Sequence, residues 1–179
     1  MRPWILGSLL AVVSLPAAAI ECIAPSADVL PVLVIGSVRS NINDLDQSQL
    51  ETTIRERLTT GGKYRVVLAD QYRNALANHR VDKCTPAFVL DLSIDMDRSD
   101  PGQAYGFGGF VTRFEFTAHA DVNVLPDRVT LDKITLTDKA DSAFTGKKAR
   151  QAFDRLLENV AHEIEARRDA WVAHPVPGF

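Results

Sequence analysis

Only two cysteines, Cys22 and Cys84, occur among the 179 residues, and neither has a Cys or His near it at metal-ligand spacing. That excludes a zinc site of the usual paired-ligand kind. Long apolar runs are also missing: beyond residue 19, no stretch approaches the roughly 18–20 unbroken apolar residues that a membrane-spanning helix requires. Charge of one sign is never concentrated. Twenty basic and 23 acidic residues are scattered along the chain, for a net charge of −3, which leaves no basic footprint for nucleic acid. Catalytic signatures are equally scarce. No serine lies in a G-x-S-x-G turn, and His162-Glu163 opens like a zinc-protease H-E-x-x-H helix until Ala166 takes the second histidine position. Internal repeats, low-complexity tracts and a second domain are absent from the pattern.

What the chain does have begins with an address. Arg2 supplies a positive start, Trp4 to Leu15 an apolar stretch, and Pro16 a break before the small residues Ala17-Ala18-Ala19. Residues 1–19 therefore read as a cleaved secretory signal, with a mature chain starting near Ile20. The expected location is the periplasm. Residues 20–174 then form one domain and 175–179 a loose tail. In an oxidising compartment Cys22 and Cys84 are expected to pair, closing a loop of about 62 residues and stabilising the fold by roughly 4 kcal/mol on the chain-entropy treatment. The alternative is lipid attachment at Cys22, just past the apolar stretch. A bacterial lipoprotein signal has a small residue directly before its cysteine, and Glu21 stands there.

Periodicity predicts an α+β fold with a mixed sheet, in the order β-α-β-α-β-β-β-α. Leu33-Val34-Ile35, between Pro31 and Gly36, reads as a buried strand. Asp46 and Gln49 have capping-box spacing, and Leu50, Ile54 and Leu58 mark the inner face of a helix that Gly61-Gly62 ends. Lys63–Ala69 follows as a strand with Tyr64, Val66 and Leu68 on one face. Asp70 then caps a second helix, Gln71 to about His79, with Tyr72 and Leu76 inward. The cleanest alternation is Ala87–Asp97: Phe88, Leu90, Leu92, Ile94 and Met96 point one way, and Val89, Asp91, Ser93, Asp95 and Asp97 the other. Phe110–Val124 alternates again, and the two strands form an antiparallel hairpin. A last strand, Val129–Thr137, slips parity between Leu131 and Ile134, which predicts a bulge near Asp132-Lys133. One long helix, Lys147–Val172, closes the domain with Phe153, Leu156, Leu157, Val160, Ile164 and Trp171 as its stripe.

Three surfaces could carry function. Asp91, Asp95 and Asp97 with His119 could serve a small hydrolase or metal-dependent enzyme, although a solvated strand face pairing with Arg113 or His119 accounts for the same pattern. The segment Gly102 to Gly109 lacks the G-x-G-x-x-G order and a following lysine, so it is no phosphate loop. It does set Tyr105 and Phe107 on a glycine frame with Arg98 nearby. That suits contact with a partner protein or a membrane surface, against the bland reading of a hairpin tip folded onto its own sheet edge. The third surface, a cleft between the first strand and this hairpin, would suit a ligand-binding module.

The stretch Val32–Ala75, with VLVIGSVRSN and then RERLTTGGKYRVVLADQYRNA, resembles a group of envelope domains. The group comprises the amino-terminal domain of the Tol-system translocation protein, the curli-secretion-channel family and the outer-membrane activators of penicillin-binding proteins. In them a helix ends in a small or polar turn before a Lys-aromatic-x-Val strand and another helix. The resemblance implies a non-enzymatic periplasmic accessory or adaptor protein, without cofactor, that binds a partner of the envelope machinery. The segment 97–110 is too short for two added membrane strands of about 9–11 residues, which argues against a secretion pore. No family residue maps onto a binding position here.

Overall fold

Local sequence and fold agree first at the start of the first helix. In the computed structural model, which describes residues 29–43, 45–78, 80, 85–99, 112–142 and 146–173, helix α1 (Gln47–Thr60) begins where Asp46 accepts hydrogen bonds from the Ser48 N–H and hydroxyl, each at 2.9 Å. The ionised form of Asp46 gains from both, so its carboxyl is held below its ordinary range. Leu50, Ile54 and Leu58 are buried, as their four-residue spacing requires, each stabilising the fold by about 1.5–3 kcal/mol. Gly61 closes the helix and Gly62 follows at φ 68°, a conformation glycine takes without steric cost.

Strands β1 (Val32–Ser40), β2 (Arg65–Leu68), β3 (Ala87–Ser99), β4 (Thr112–Val124) and β5 (Val129–Ser142) form one sheet in the order β2-β1-β3-β4-β5. β1 is parallel to both β2 and β3, whereas β3–β4 and β4–β5 are antiparallel. The expected α+β class and mixed sheet are present, with helices packed on it. Alternation in β3 and β4 sorts the two faces as the sequence predicts. Phe88, Leu90, Leu92 and Ile94 join Phe116, Ala118, Ala120 and Val122 in a core that α1 and α3 (Lys147–Ala166) cover. On the opposite face, α2 (Ala69–Ala77) covers only the β2–β1 corner, where Val32, Val34, Ala87 and Val89 form a smaller cluster with Val67 and Tyr72 against it. Along the rest of that face, β3–β4–β5 carry polar side chains.

Four expectations need correction. Helix α2 starts two residues earlier, with the Gln71 side chain accepting from the Leu68 N–H at 3.2 Å, so Asp70 lies inside the first turn and does not cap it. Leu76 is exposed because α2 reaches only the sheet corner, leaving it no surface to cover. β5 continues to Ser142, because its ladder with β4 extends to the Thr112↔Ser142 pair. The final helix is not continuous: it ends at Ala166, and α4 (Arg168–Val172) starts after Arg167.

That break has a visible cause. The Arg167 guanidinium donates to Asp132 on β5 at 2.9 and 3.1 Å and to Glu163 at 2.7 and 2.9 Å, while Trp171 Nε1–H donates to Asp132 at 3.0 Å. Asp132 lies on the core side of β5 and draws both donors inward. The bulge that turns it there omits Leu131 from the ladder, one residue before the expected place. Arg155 clamps Asp138 in the same way farther along β5, at 2.9 and 3.0 Å.

Burial works against the ionised form of Asp132, but the hydrogen bonds from Arg167, Trp171 and the Lys133 N–H outweigh it and hold its carboxyl below the usual range. A carboxylate depressed in the folded state stabilises above its unfolded pKa, near 4, and that stabilisation vanishes as pH falls through the folded value. Asp132→Asn is therefore expected to be less stable than wild type at neutral pH, with the gap narrowing below about pH 4. Urea midpoints of both proteins across that range check this; a gap independent of pH would show that the Asp132 charge contributes nothing.

Candidate functional site

A glycine in the middle of a strand organises the polar face. Between the pairs Ile35↔Leu90 and Val38↔Leu92, β1 has two residues, Gly36 and Ser37, against the single Asp91 of β3. The extra residue frees a backbone N–H from the ladder, and Asp91 takes it: its Oδ1 accepts from Ser37 N–H at 2.9 Å and from Ser37 Oγ at 2.8 Å. A β-carbon at Gly36 would lie 2.6 Å from Asp91 Oδ1 and 2.6 Å from Val89 Cγ1, so only glycine lets the carboxylate close over the bulge.

Around this bulge lies an open concavity of about 460 Å³, bordered by Arg39, Asp91, Ser93, His119, Asp121 and Arg128. Asp91 and His119, singled out in the sequence, thus share one depression; Asp95 lies farther along β3 and does not line it. The chemistry available is limited. Asp91 already accepts from Ser37 twice and from Asn123 Nδ2 at 3.4 Å, which makes it an anchor for the bulge and not a free base. His119 is exposed, with Nδ1 3.1 Å from the Thr135 hydroxyl. No serine or cysteine stands within a hydrogen bond of it among the described residues, and no three His, Cys, Asp or Glu side chains group there to hold a metal ion. The row beyond is spent on cross-strand pairs: Lys139 with Glu115 at 2.8 Å, Arg113 with Asp141 at 2.8 Å, Lys133 with Asp121 at 3.7 Å. The expected pairing of Asp91, Asp95 and Asp97 with Arg113 or His119 therefore does not form. Register sets Arg113 opposite Ser99 and His119 opposite Ser93, and both turn to β5.

Sequence reading missed Arg39 and Arg128. Arg128 is an arginine at φ 52°, where glycine would be unstrained. The one available signal was Gly36 itself, since a glycine within an apolar strand marks a bulge or a close approach.

At the far end of the sheet the hairpin outruns its neighbour. β1 stops at Ser40, opposite Ile94, while the β3–β4 ladder continues to Ser99↔Arg113. Asn41 takes over from the missing strand, its Oδ1 accepting from the Met96 N–H at 2.7 Å. Arg98 is exposed here, opposite Phe114. A cleft of about 410 Å³ opens beside it between α1, α3 and the sheet, with Ile42, Leu45, Met96, Phe114 and Phe153 half-buried along it. Tyr105 and Phe107 fall in the segment joining β3 to β4, and Cys22 and Cys84 in other segments; all four lie outside the described residues, as do the leader and the 175–179 tail.

The sequence matches no family model and is similar to no curated protein. Solved structures do share the fold. A neuraminyllactose-binding hemagglutinin homolog from Helicobacter pylori aligns at a TM-score of 0.55 and 10% identity, over 83% of this chain and 89% of that one. A hypothetical protein from Chlamydia trachomatis aligns at 0.51 and 10% identity, over 82% and 100%. At such identities the likeness is one of fold. Neither is described as a Tol-system, curli or penicillin-binding-protein-activator domain. No helix among the described residues is long and apolar enough to cross a membrane.

Proposed function

We propose that this is a non-enzymatic accessory protein of the bacterial envelope that docks on a protein partner through the free end of its β3–β4 hairpin. The observation behind this reading is the run of half-buried apolar side chains at that end. Ile42, Leu45, Met96, Phe114 and Phe153 line one cleft beside the exposed Arg98, where the hairpin outruns β1. Tyr105 and Phe107 belong to the segment leaving this end. Aromatic and arginine side chains around an apolar cleft are the composition that carries most binding energy in protein interfaces. On this reading the leader directs the chain to the periplasm, where Cys22 and Cys84 pair. The adaptor role seen in the Tol, curli and activator group is then the nearest functional analogy.

The test is capture from envelope extracts with the mature protein as bait. Tyr105→Ser/Phe107→Ser is expected to lower recovery of the partner at least about tenfold, since each interface anchor contributes on the order of 1–2 kcal/mol or more. Equal recovery by the double variant, with its melting temperature unchanged, would exclude the hairpin end as the docking surface.

A further inference from the structure

The opposite end of the sheet combines two features, a pocket and an apolar rim. β1, β2 and β3 begin there, as the pairs Val32↔Arg65 and Val32↔Ala87 show, and the β4–β5 turn closes there at Val124↔Val129. Helix α2 runs back from the end of β2 and finishes beside Val32. Between them lies a pocket of about 360 Å³ with Val32, Val67, Tyr72 and Ala75 as its apolar wall and Arg65 and Arg80 at its polar side. Gln71, Asn74 and Asn78 complete the polar lining, and no carboxylate contributes to it, although acidic residues outnumber basic ones in the chain. Among the described residues, neither guanidinium has an ion pair, and the Tyr72 hydroxyl and the Asn74 side-chain amide have no hydrogen bond. Burial raises the Tyr72 phenol, which keeps it a donor.

The second feature is apolar. The large hydrophobic residues most exposed among the described residues are Val29 at 43%, Leu30 at 44%, Leu76 at 37% and Val129 at 56%. Val29 and Leu30 lead into β1, Leu76 lies in the last turn of α2, and Val129 opens β5, so all four belong to this end. Arg128, also without an ion pair among the described residues, precedes Val129. Unpaired arginines set among exposed aliphatic side chains match a bilayer surface, where phosphate groups lie directly above acyl chains.

We propose that this end of the domain seats on an anionic phospholipid surface, with Arg65 and Arg80 holding one lipid phosphate in the pocket beside Tyr72. Val29, Leu30, Leu76 and Val129 rest in the headgroup–acyl boundary around it. The guanidiniums bind phosphate through charge-assisted, bidentate hydrogen bonds. This contact does not depend on the partner-docking reading, because the two surfaces lie at opposite ends of the sheet.

The experiment is sedimentation of the mature protein with phosphatidylcholine vesicles, with and without phosphatidylglycerol. Wild type is expected to sediment with the phosphatidylglycerol vesicles and to be released by salt. Arg65→Gln/Arg80→Gln is expected to weaken that binding roughly 10- to 30-fold. Leu30→Ser/Leu76→Ser, at positions that bury little, should weaken it while keeping its salt dependence. Unchanged melting temperatures verify that both variants fold. Equal binding to pure phosphatidylcholine would overturn the phosphate site. Failure to bind any vesicle, with inorganic phosphate still raising the melting temperature of wild type and not of the arginine variant, would overturn the membrane as its source.

Discussion

Trp171→Ala is expected to destabilise the protein by about 3–5 kcal/mol, the range for emptying a buried aromatic site. The indole is 3% exposed and lies between Tyr64 and Phe88, with ring centroids at 6.4 and 6.0 Å. Its Nε1–H is one of the donors on Asp132. Removing it opens a cavity under α4, leaves Asp132 short of a hydrogen bond, and loosens the seat of Tyr64, whose hydroxyl donates to the Ile164 carbonyl at 3.1 Å. For a domain of this size the loss corresponds to roughly 10 °C in melting temperature. Trp171→Phe separates the parts: it keeps most of the packing and loses the donor, so about 1–2 kcal/mol is expected. Urea unfolding of both variants gives the comparison. A Trp171→Ala cost below about 1 kcal/mol would mean that α4 is not held against the core.

Gly36→Ala is expected to cost about 1–3 kcal/mol, more than its exposed position suggests. The added carbon meets Asp91 and Val89 at once, and neither can move cheaply: Val89 is packed in the smaller core cluster, and Asp91 is tied to Ser37. Asp91→Ala alone should cost a similar 1–3 kcal/mol by stranding the Ser37 N–H. Because both changes act on one contact, the double variant should be less destabilised than the sum of the two. Strict additivity in denaturant titrations would show that the carboxylate does not close over the bulge.

How far the sequence could be read depends on whether local pattern or distant partners decided each feature. Asp46, the Leu50-Ile54-Leu58 spacing and the alternation of β3 and β4 act within one element, so strands and helices appear where their patterns stand. Parity in β5 slips visibly between Leu131 and Ile134, which announces a bulge near Asp132-Lys133; it lies one residue earlier, at Leu131. The break after Ala166 was not legible, because its cause is Asp132, 35 residues before Arg167. Leu76 reads as an inward residue on helical spacing alone; its exposure follows from how little of the sheet α2 spans. The concavity beside Gly36 stayed hidden for the same reason, since it needs Arg39 from β1, Asp91 from β3 and Arg128 from the β4–β5 turn. Asp91 and His119 were found as residues, but their roles depend on Ser37 and Thr135, which no local spacing indicates.

The Arg155 and Arg167 clamps on β5 also bear on how this protein behaves when crowded. β5 forms one rim of the sheet, and an unprotected rim fourteen residues long would offer its free backbone groups to any extended chain that met it. Here the rim is kinked at Leu131 and carries two carboxylates, Asp132 and Asp138, on the side where a flat, sticky strand would carry aliphatic groups. Each carboxylate ties β5 to the helix behind it instead of to a neighbour alongside. The bulge and the inward-turned carboxylates make this rim a poor template for a sixth strand, and so disfavour growth by strand addition, the route to fibrils.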